Sequence, residues 1–365
     1  MKESKIKMLV ICPHPVNTVP GQRLKYEQYF DFFRKNNIEI SVEPFISEKF
    51  HSIIYTDGNI LKKILWTVYG YVKRFLLLFR LRKFDVVYVF LWVTPFGFPF
   101  FEWLVCKISR RIIYDIDDLV FLHYTRRYNS FIRIIKGRRK PIFLMKKANH
   151  VITCTPYLDQ FVRQFNKNTT DISSTINSET YIPVNNYSNS HQLILGWSGS
   201  HSTSKYLYLL ENVLKEIYMK HPFKLIVMGD RKFSIEGLDI EALDWAEDRE
   251  IPTLQKVDIG LYPLPLNDEW VLGKSGLKAI QYMMLGIPTI ATAIGANYRV
   301  IENNVSGFLV KTEEEWKEKL ITLINKPEIR KEIGIKARER AEKYFSVKAN
   351  APIYLAIIEK VISNK

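Results

Sequence analysis

Cysteine is scarce in this sequence, with only Cys12, Cys106 and Cys154 among 365 residues. No two of them have zinc-site or redox-dithiol spacing, and each sits in an apolar run. That excludes a disulfide scaffold and reads as small buried hydrophobes in a reducing compartment. Long apolar runs are missing too. The first one, Met8 to Cys12, is broken by Pro13 and Pro15, well short of a secretory signal core. The longest, Val86 to Phe101, holds Pro95, Gly97 and Pro99 and falls short of the ~20 residues a span needs, so it reads as a buried strand, a loop and a helix start. The expected location is cytoplasmic, with a peripheral position at the inner face of the plasma membrane open to it. Several catalytic signatures are absent as well. There is no Gly-x-Gly-x-x-Gly, Walker A, Gly-x-Ser-x-Gly or His-Glu-x-x-His, which argues against a nicotinamide oxidoreductase, a P-loop ATPase, a serine hydrolase and a zinc peptidase.

What is present is a globular composition, 47% hydrophobic and 25% charged, in a chain long enough for two domains at ~150 residues each. Aromatic residues reach 13%, enough for several ring-lined surfaces. The net charge of +15 is unevenly placed. Residues 1–190 carry 29 Lys/Arg against 15 Asp/Glu, whereas residues 191–365 carry 24 against 23. A basic first half beside a balanced second half suggests a polyanionic partner, either nucleic acid or an anionic membrane face.

Short apolar runs alternate with helix-length amphipathic segments in both halves, the pattern of parallel βαβ units. Strands are expected at Lys7–Cys12, Ile38–Glu43, Asp85–Phe90, Arg111–Asp115 and His150–Thr153, with helices at Gln22–Lys35, Ile60–Phe79, Phe100–Arg110, Phe131–Lys147 and Tyr157–Phe165. The Asn-, Ser- and Thr-rich stretch Asn166–Ser190 reads as a linker. The pattern then restarts, with strands at Leu193–Trp197, Phe223–Met228, Asp258–Tyr262, Thr289–Thr292 and Gly307–Val310. Helices are expected at Lys205–Met219, Ser275–Leu285, Glu313–Ile324, Glu328–Tyr344 and Lys348–Ile362. The resulting division is a first domain over 1–180, with the helix 348–365 packing back on it, and a second over 191–347. The class is α/β, two doubly wound halves facing across a cleft, with ligands beyond the carboxyl ends of the strands.

Five constellations fall at such strand ends. Gly196 to Lys205 follows a strand and opens a helix. The backbone amides of Gly199 and Ser200 could approach an anion and Lys205 could add a full charge; a capped loop with a solvated lysine is the plain alternative. In Gly273 to Pro288, residues Lys274, Lys278 and Gln281 stand at i, i+4 and i+7, so one helix face beside Ser275 would offer two cations to a diphosphate and an amide to a sugar hydroxyl. Asp115, Asp117 and Asp118 crowd three carboxylates into four residues, an arrangement that needs basic side chains, a cation or substrate hydroxyls to offset it. Gly21 and Arg23 lie in the loop after the first strand, where glycine allows close approach and arginine binds phosphate or carboxylate. Gly295 and Asn297 follow the strand Thr289–Thr292, placed to hold a hexose or to form an ordinary turn.

Taken in order, these segments resemble the retaining GT-B glycosyltransferases of glycosyltransferase family 4 (glycosyl transferases group 1), most closely from Asp258 to Val310 and of the bacterial cell-surface polysaccharide type. The family's two glutamates would fall on Gly273 and Gln281, and its arginine after the donor-loop glycine on Ser200, while the partner lysine is kept as Lys205. The resemblance implies two Rossmann-like domains and a metal-independent transfer without a cofactor. A sugar would move from a UDP- or GDP-sugar to a glycan or lipid-linked acceptor in surface polysaccharide biosynthesis. Lys205, Lys274, Asp117 and Asp118 are the implied catalytic residues. Gly199, Ser200, Ser275, Lys278, Gln281, Gly295, Asn297 and Gly21 would bind donor, and Arg23 acceptor. The basic residues of the first half would face an anionic membrane, and no nucleic acid is expected. A nucleic-acid-binding protein remains the alternative from another class, beside a sugar-nucleotide epimerase or hydrolase or an inactive binding module of the same fold.

Overall fold

The computed structural model describes residues 5–56, 58–119, 139–184, 187 and 192–363. Each half forms one six-stranded parallel sheet. The first contains β1 (Ile6–Cys12), β2 (Ile38–Pro44), β3 (Val86–Phe90), β4 (Ile112–Asp115), β5 (His150–Thr153) and β6 (Thr169–Asp171), side by side as β2-β1-β3-β4-β5-β6. The second contains β7 (Ile194–Ser198), β8 (Lys224–Met228), β9 (Asp239–Leu243), β10 (Ile259–Tyr262), β11 (Thr289–Thr292) and β12 (Phe308–Val310), ordered β12-β11-β10-β7-β8-β9. Helices cover both faces, so central strands are apolar throughout: every residue of β3 and of β10 is buried.

The chain divides into two compact units, residues 1–173 with 350–365, and residues 174–349. The helix Val347–Ser363 joins the first unit from Asn350 onward, where the Tyr354 ring lies 4.6 Å from that of Tyr29 and its hydroxyl donates to the Lys25 carbonyl at 3.4 Å. In each sheet the winding reverses once, between β1 and β3 and between β7 and β10. Chains leaving neighbouring strands there turn to opposite faces, which opens a crevice at the carboxyl ends.

The structure corrects several expectations. The stretch read as a linker supplies β6, which pairs with β5 from Val151 to Thr153. Strand β9 and the helix Glu247–Leu254 are additions as well. Both β6 and β9 are edge strands with no fully buried residue, so they lack the apolar run that marks a central strand. The segment expected as one helix from Lys205 begins as a 3₁₀ helix, Ser204–Leu210, and becomes α-helical only at Glu211–Tyr218. Of the expected helix Phe131–Lys147, Arg139–Lys147 is seen; residues 131–138 lie outside the described residues.

Candidate active site

The second unit's crevice is built from glycine and aromatic residues around one lysine. Strand β7 ends in Trp197 and Ser198, and the Gly199 amide donates to the Met228 carbonyl at the end of β8. Gly199 cannot carry a side chain, since a Cβ there would overlap the Trp197 ring and come within 2.8 Å of Lys278 Cε. Gly229 faces it with φ +109°, and a Cβ on Gly229 would collide with the Gly199 carbonyl oxygen. Two bare backbones therefore meet where the strands end. Asp230 ties down the turn that follows: its Oδ2 accepts the Ser204 hydroxyl at 2.6 Å and its Oδ1 the Lys232 amide at 3.2 Å. The Ser204 bond holds the Asp230 carboxyl below the usual carboxylate range.

Lys278 enters from the helix Leu277–Met284, whose N-cap is Gly276 at φ +81°. Its ammonium lies 5.3 Å from the centroid of Trp197 and 5.3 Å from that of Tyr262, at the ends of the two strands that flank the reversal. Burial, and then the charge of Lys274, lower its pKa to about 8. The Lys274 ammonium rests 5.2 Å from the Trp270 ring. Tyr282, one turn along the same helix, sets the position of the whole group. Its hydroxyl accepts from the Ser198 amide at 2.9 Å and donates to the Gly196 carbonyl at 3.3 Å. The result is a cation-rich strand-end region whose rings stabilise positive charge and whose chemistry suits a polyanion.

Other expected donor residues are placed differently. Lys274 precedes the helix in extended conformation, so Lys274, Lys278 and Gln281 do not form one helical face. Gln281 is buried and donates to the Tyr181 hydroxyl at 3.0 Å and to Glu250 Oε1 at 3.1 Å, a network that Trp245 Nε1 completes at 3.0 Å. That network lies inside the second unit and fixes the position of the Gln281 amide. Asn297 is buried too and donates to the Thr292 carbonyl at 2.9 Å, bracing the turn around Gly295, which has φ +54°. The Ser275 hydroxyl pairs with that of Ser174 at 2.8 Å. Ser200 is exposed on the turn after Gly199 and Lys205 is exposed at the start of the 3₁₀ helix Ser204–Leu210, its ammonium 5.6 Å from the Tyr206 ring. Trp197, Gly229, Asp230, Tyr262 and Tyr282 were not singled out by sequence reasoning. The Met228-Gly229-Asp230 turn closing an apolar run was the one signal available for Gly229 and Asp230.

In the first unit the acidic trio separates. Asp115 ends β4 fully buried, accepts from the Tyr88 hydroxyl and lies 3.7 Å from the Lys25 ammonium. Burial raises its pKa even so, with Lys25 pulling the other way. Asp117 and Asp118 continue beyond the strand and are partly exposed. Gly21 comes alongside Asp117, since a Cβ on it would sit 3.3 Å from Asp117 Oδ2. The short helix Pro20–Arg23 thus brings Gly21, Arg23 and Asp117 to one strand-end region. Gln22 and Glu27 fix the loop leading to it by accepting the amides of His14 and Asn17 at 2.9 and 2.8 Å. Among the described residues no group of three His, Cys, Asp or Glu side chains is gathered as a metal site.

Residues 192–326 match the family model for glycosyl transferases group 1. Trehalose synthase of Pyrococcus horikoshii is 36% identical over 86 residues, which is 24% of this chain and 21% of that relative, so the chain spans about a fifth of its length. Among solved structures, a sucrose-phosphate synthase of Thermosynechococcus elongatus superimposes with a TM-score of 0.73 at 16% identity, covering 99% of this chain and all of the other. HepE of Anabaena, solved with UDP-glucose, gives 0.66 at 15% identity over 98% of this chain and all of its own. These likenesses show the fold, a two-domain α/β architecture of the GT-B glycosyltransferase type.

Proposed function

We propose that this protein is a glycosyltransferase that moves a sugar from a nucleotide-sugar donor to a glycan or lipid-linked acceptor in the assembly of surface polysaccharide. The observation that carries this reading is the Lys278 ammonium, held between the rings of Trp197 and Tyr262 beside Lys274, at the strand reversal of the region that matches the group 1 family model. The Anabaena neighbour was solved in complex with UDP and glucose and with UDP-glucose, which favours a donor of that kind.

On this reading the donor diphosphate lies against Lys278 and Lys274, with Lys205 reaching it from the start of the 3₁₀ helix Ser204–Leu210. As the bond between the sugar's anomeric carbon and the diphosphate oxygen breaks, negative charge grows on the leaving group, and the two ammoniums stabilise it without reorganising. Their charge does the work that a divalent cation would otherwise do. The acceptor hydroxyl attacks the anomeric carbon from the face the leaving group vacates, with retention of configuration, and its proton passes to the departing diphosphate oxygen; in the first unit, Asp117, Asp118 and Arg23 are the groups suited to hold acceptor hydroxyls. The reducing, cytoplasmic setting follows from nucleotide-sugar supply.

The test is calorimetric titration with UDP, GDP and ADP and their glucose conjugates. One diphosphate should bind, and at 100 times its dissociation constant should stabilise the protein by about 2.7 kcal/mol. Lys278→Met and Lys274→Ala should each abolish that binding while the protein stays folded. No diphosphate binding, or binding unchanged in both variants, overturns the donor site. Incubation with the bound sugar nucleotide and oligosaccharide acceptors then separates transfer from hydrolysis, which would release free sugar alone.

A further inference from the structure

The helix Ile60–Leu78 presents its apolar half to solvent. At 100° per residue, the exposed side chains Ile60, Leu61, Ile64, Leu65, Val72 and Leu76 share one half of the helix, and Leu61 retains 78% of its accessible surface. The helix cannot turn to hide them. Gly70 on the opposite face packs so closely on the Phe45 ring that a Cβ would lie 2.7 Å from it. Arg74, also on that side, is buried and donates to the carbonyls of Val93, Glu43 and Cys12 at 2.9, 2.9 and 3.0 Å. A second exposed apolar group adjoins the helix. Tyr71 bonds the backbone of Phe96 through its hydroxyl, and Phe98, Phe100 and Trp103 stand exposed beyond it, with the Lys107 ammonium 5.1 Å from the Trp103 ring.

Charge identifies what covers this face. From residue 58 to 84 there are seven Lys and Arg and no Asp or Glu. Lys62 and Lys73 fall on one flank of the apolar half, and exposed Arg80, Arg82 and Lys83 follow the helix directly; Glu43 lies 3.7 Å from Lys73 and 3.6 Å from Arg80 and offsets part of this charge. A second copy docked on the same face would set these like charges against each other. Among the described residues no helix is long and apolar enough to cross a membrane. A half-apolar helix flanked by cations with aromatic rings alongside fits the boundary between headgroups and acyl chains, where apolar side chains insert and lysines reach anionic phosphates. We propose that this face of the first unit binds an anionic phospholipid bilayer, the helix Ile60–Leu78 lying in the plane of the surface. The inference rests on the first unit alone and does not depend on the transfer reading.

The full-length protein is tested by flotation with vesicles of phosphatidylcholine alone and with phosphatidylglycerol added at about one-third, the range in which each basic residue near the surface counts. Binding to the anionic vesicles and little to the neutral ones is expected. Arg82→Ala/Lys83→Ala should weaken binding by roughly thirtyfold, about fivefold for each residue. Leu61→Glu/Leu65→Glu should weaken it by at least about a hundredfold, since two inserted side chains become charged. Both variants alter exposed positions, and circular dichroism with thermal unfolding verifies that they fold. Equal binding to both vesicle types, no binding by the wild type, or binding unchanged in Leu61→Glu/Leu65→Glu overturns the proposal. So does a concentration-dependent dimer that the same substitution dissolves, which would assign the face to a second copy.

Discussion

The two units surround lysine in opposite ways, and Lys278 of the second stays partly accessible. In the first, Lys25 lies 3.7 Å from Asp115 and donates to the Thr153 carbonyl at 3.1 Å, while Lys140 lies 3.4 Å from Glu102 and donates to the Thr94 carbonyl at 3.0 Å. All four side chains are almost wholly inaccessible. In the second, Lys278 is set against two aromatic rings, and the charged neighbour that weighs on it is another lysine. A buried ammonium matched to a carboxylate is internally balanced and has nothing further to bind. One set against rings, with a second lysine weighing on it, holds its proton less tightly than usual. The contrast separates cations paired with a carboxylate from one set against rings and a like charge, without reference to any relative.

The largest effect should come from breaking the first kind. Lys25→Met strands the Asp115 carboxylate in the core and is expected to cost about 3–5 kcal/mol in urea unfolding, with much of that restored in Lys25→Met/Asp115→Leu. A cost under about 1 kcal/mol would remove the distinction between the two lysine classes.

The second kind should respond in the opposite direction. At pH 7, Lys278→Met should leave stability unchanged or raise it by about 1–2 kcal/mol, because it removes a charge that burial and Lys274 disfavour. The pH dependence carries the sign. With a folded pKa of about 8, against an ordinary 10.5, the unfolded chain holds this proton more tightly, so wild-type stability rises as pH climbs from about 8 to 10.5. The variant lacks that rise, and the difference in Tm should close across the window. A gap that widens there would mean the ammonium is stabilised in the fold.

The smallest effect calibrates the other two with a surface feature that buries no charge. Thr312 caps the helix Glu313–Asn325 in a reciprocal box with Glu315, and Thr312→Ala should cost about 1 kcal/mol. Differential scanning calorimetry on the three single variants places them on one scale.

Much of the architecture was legible because central parallel strands are buried on both faces and so read as unbroken apolar runs; β1, β3, β10 and β11 each fall within two residues of the expected limits. The edge strands β6 and β9 escaped because an edge needs no such run. At the candidate site, Gly199 and Lys278 stood out by motif, yet the rings that receive Lys278 come from two strands 65 positions apart in the chain, Trp197 and Tyr262, and only the fold brings them to one place. The surroundings of Gln281 were not legible. A polar residue on a helix after a glycine looks like a ligand, and its burial against Glu250 and Tyr181 depends on a helix, Glu247–Leu254, that the sequence did not announce. The helix Ile60–Leu78 had its limits right within a residue, and there hydrophobic periodicity could not say whether the apolar half faces a core or the outside.

The return of residues 350–363 to the first unit inverts the order in which the molecule can be completed. A ribosome releases residues 174–349, all that the second unit needs, before it makes the helix whose Tyr354 closes over Tyr29 and Lys25. The half translated first is therefore finished last, and until then the aromatic surface of Tyr29 and Phe33 that Tyr354 covers stays open to solvent and to chaperones.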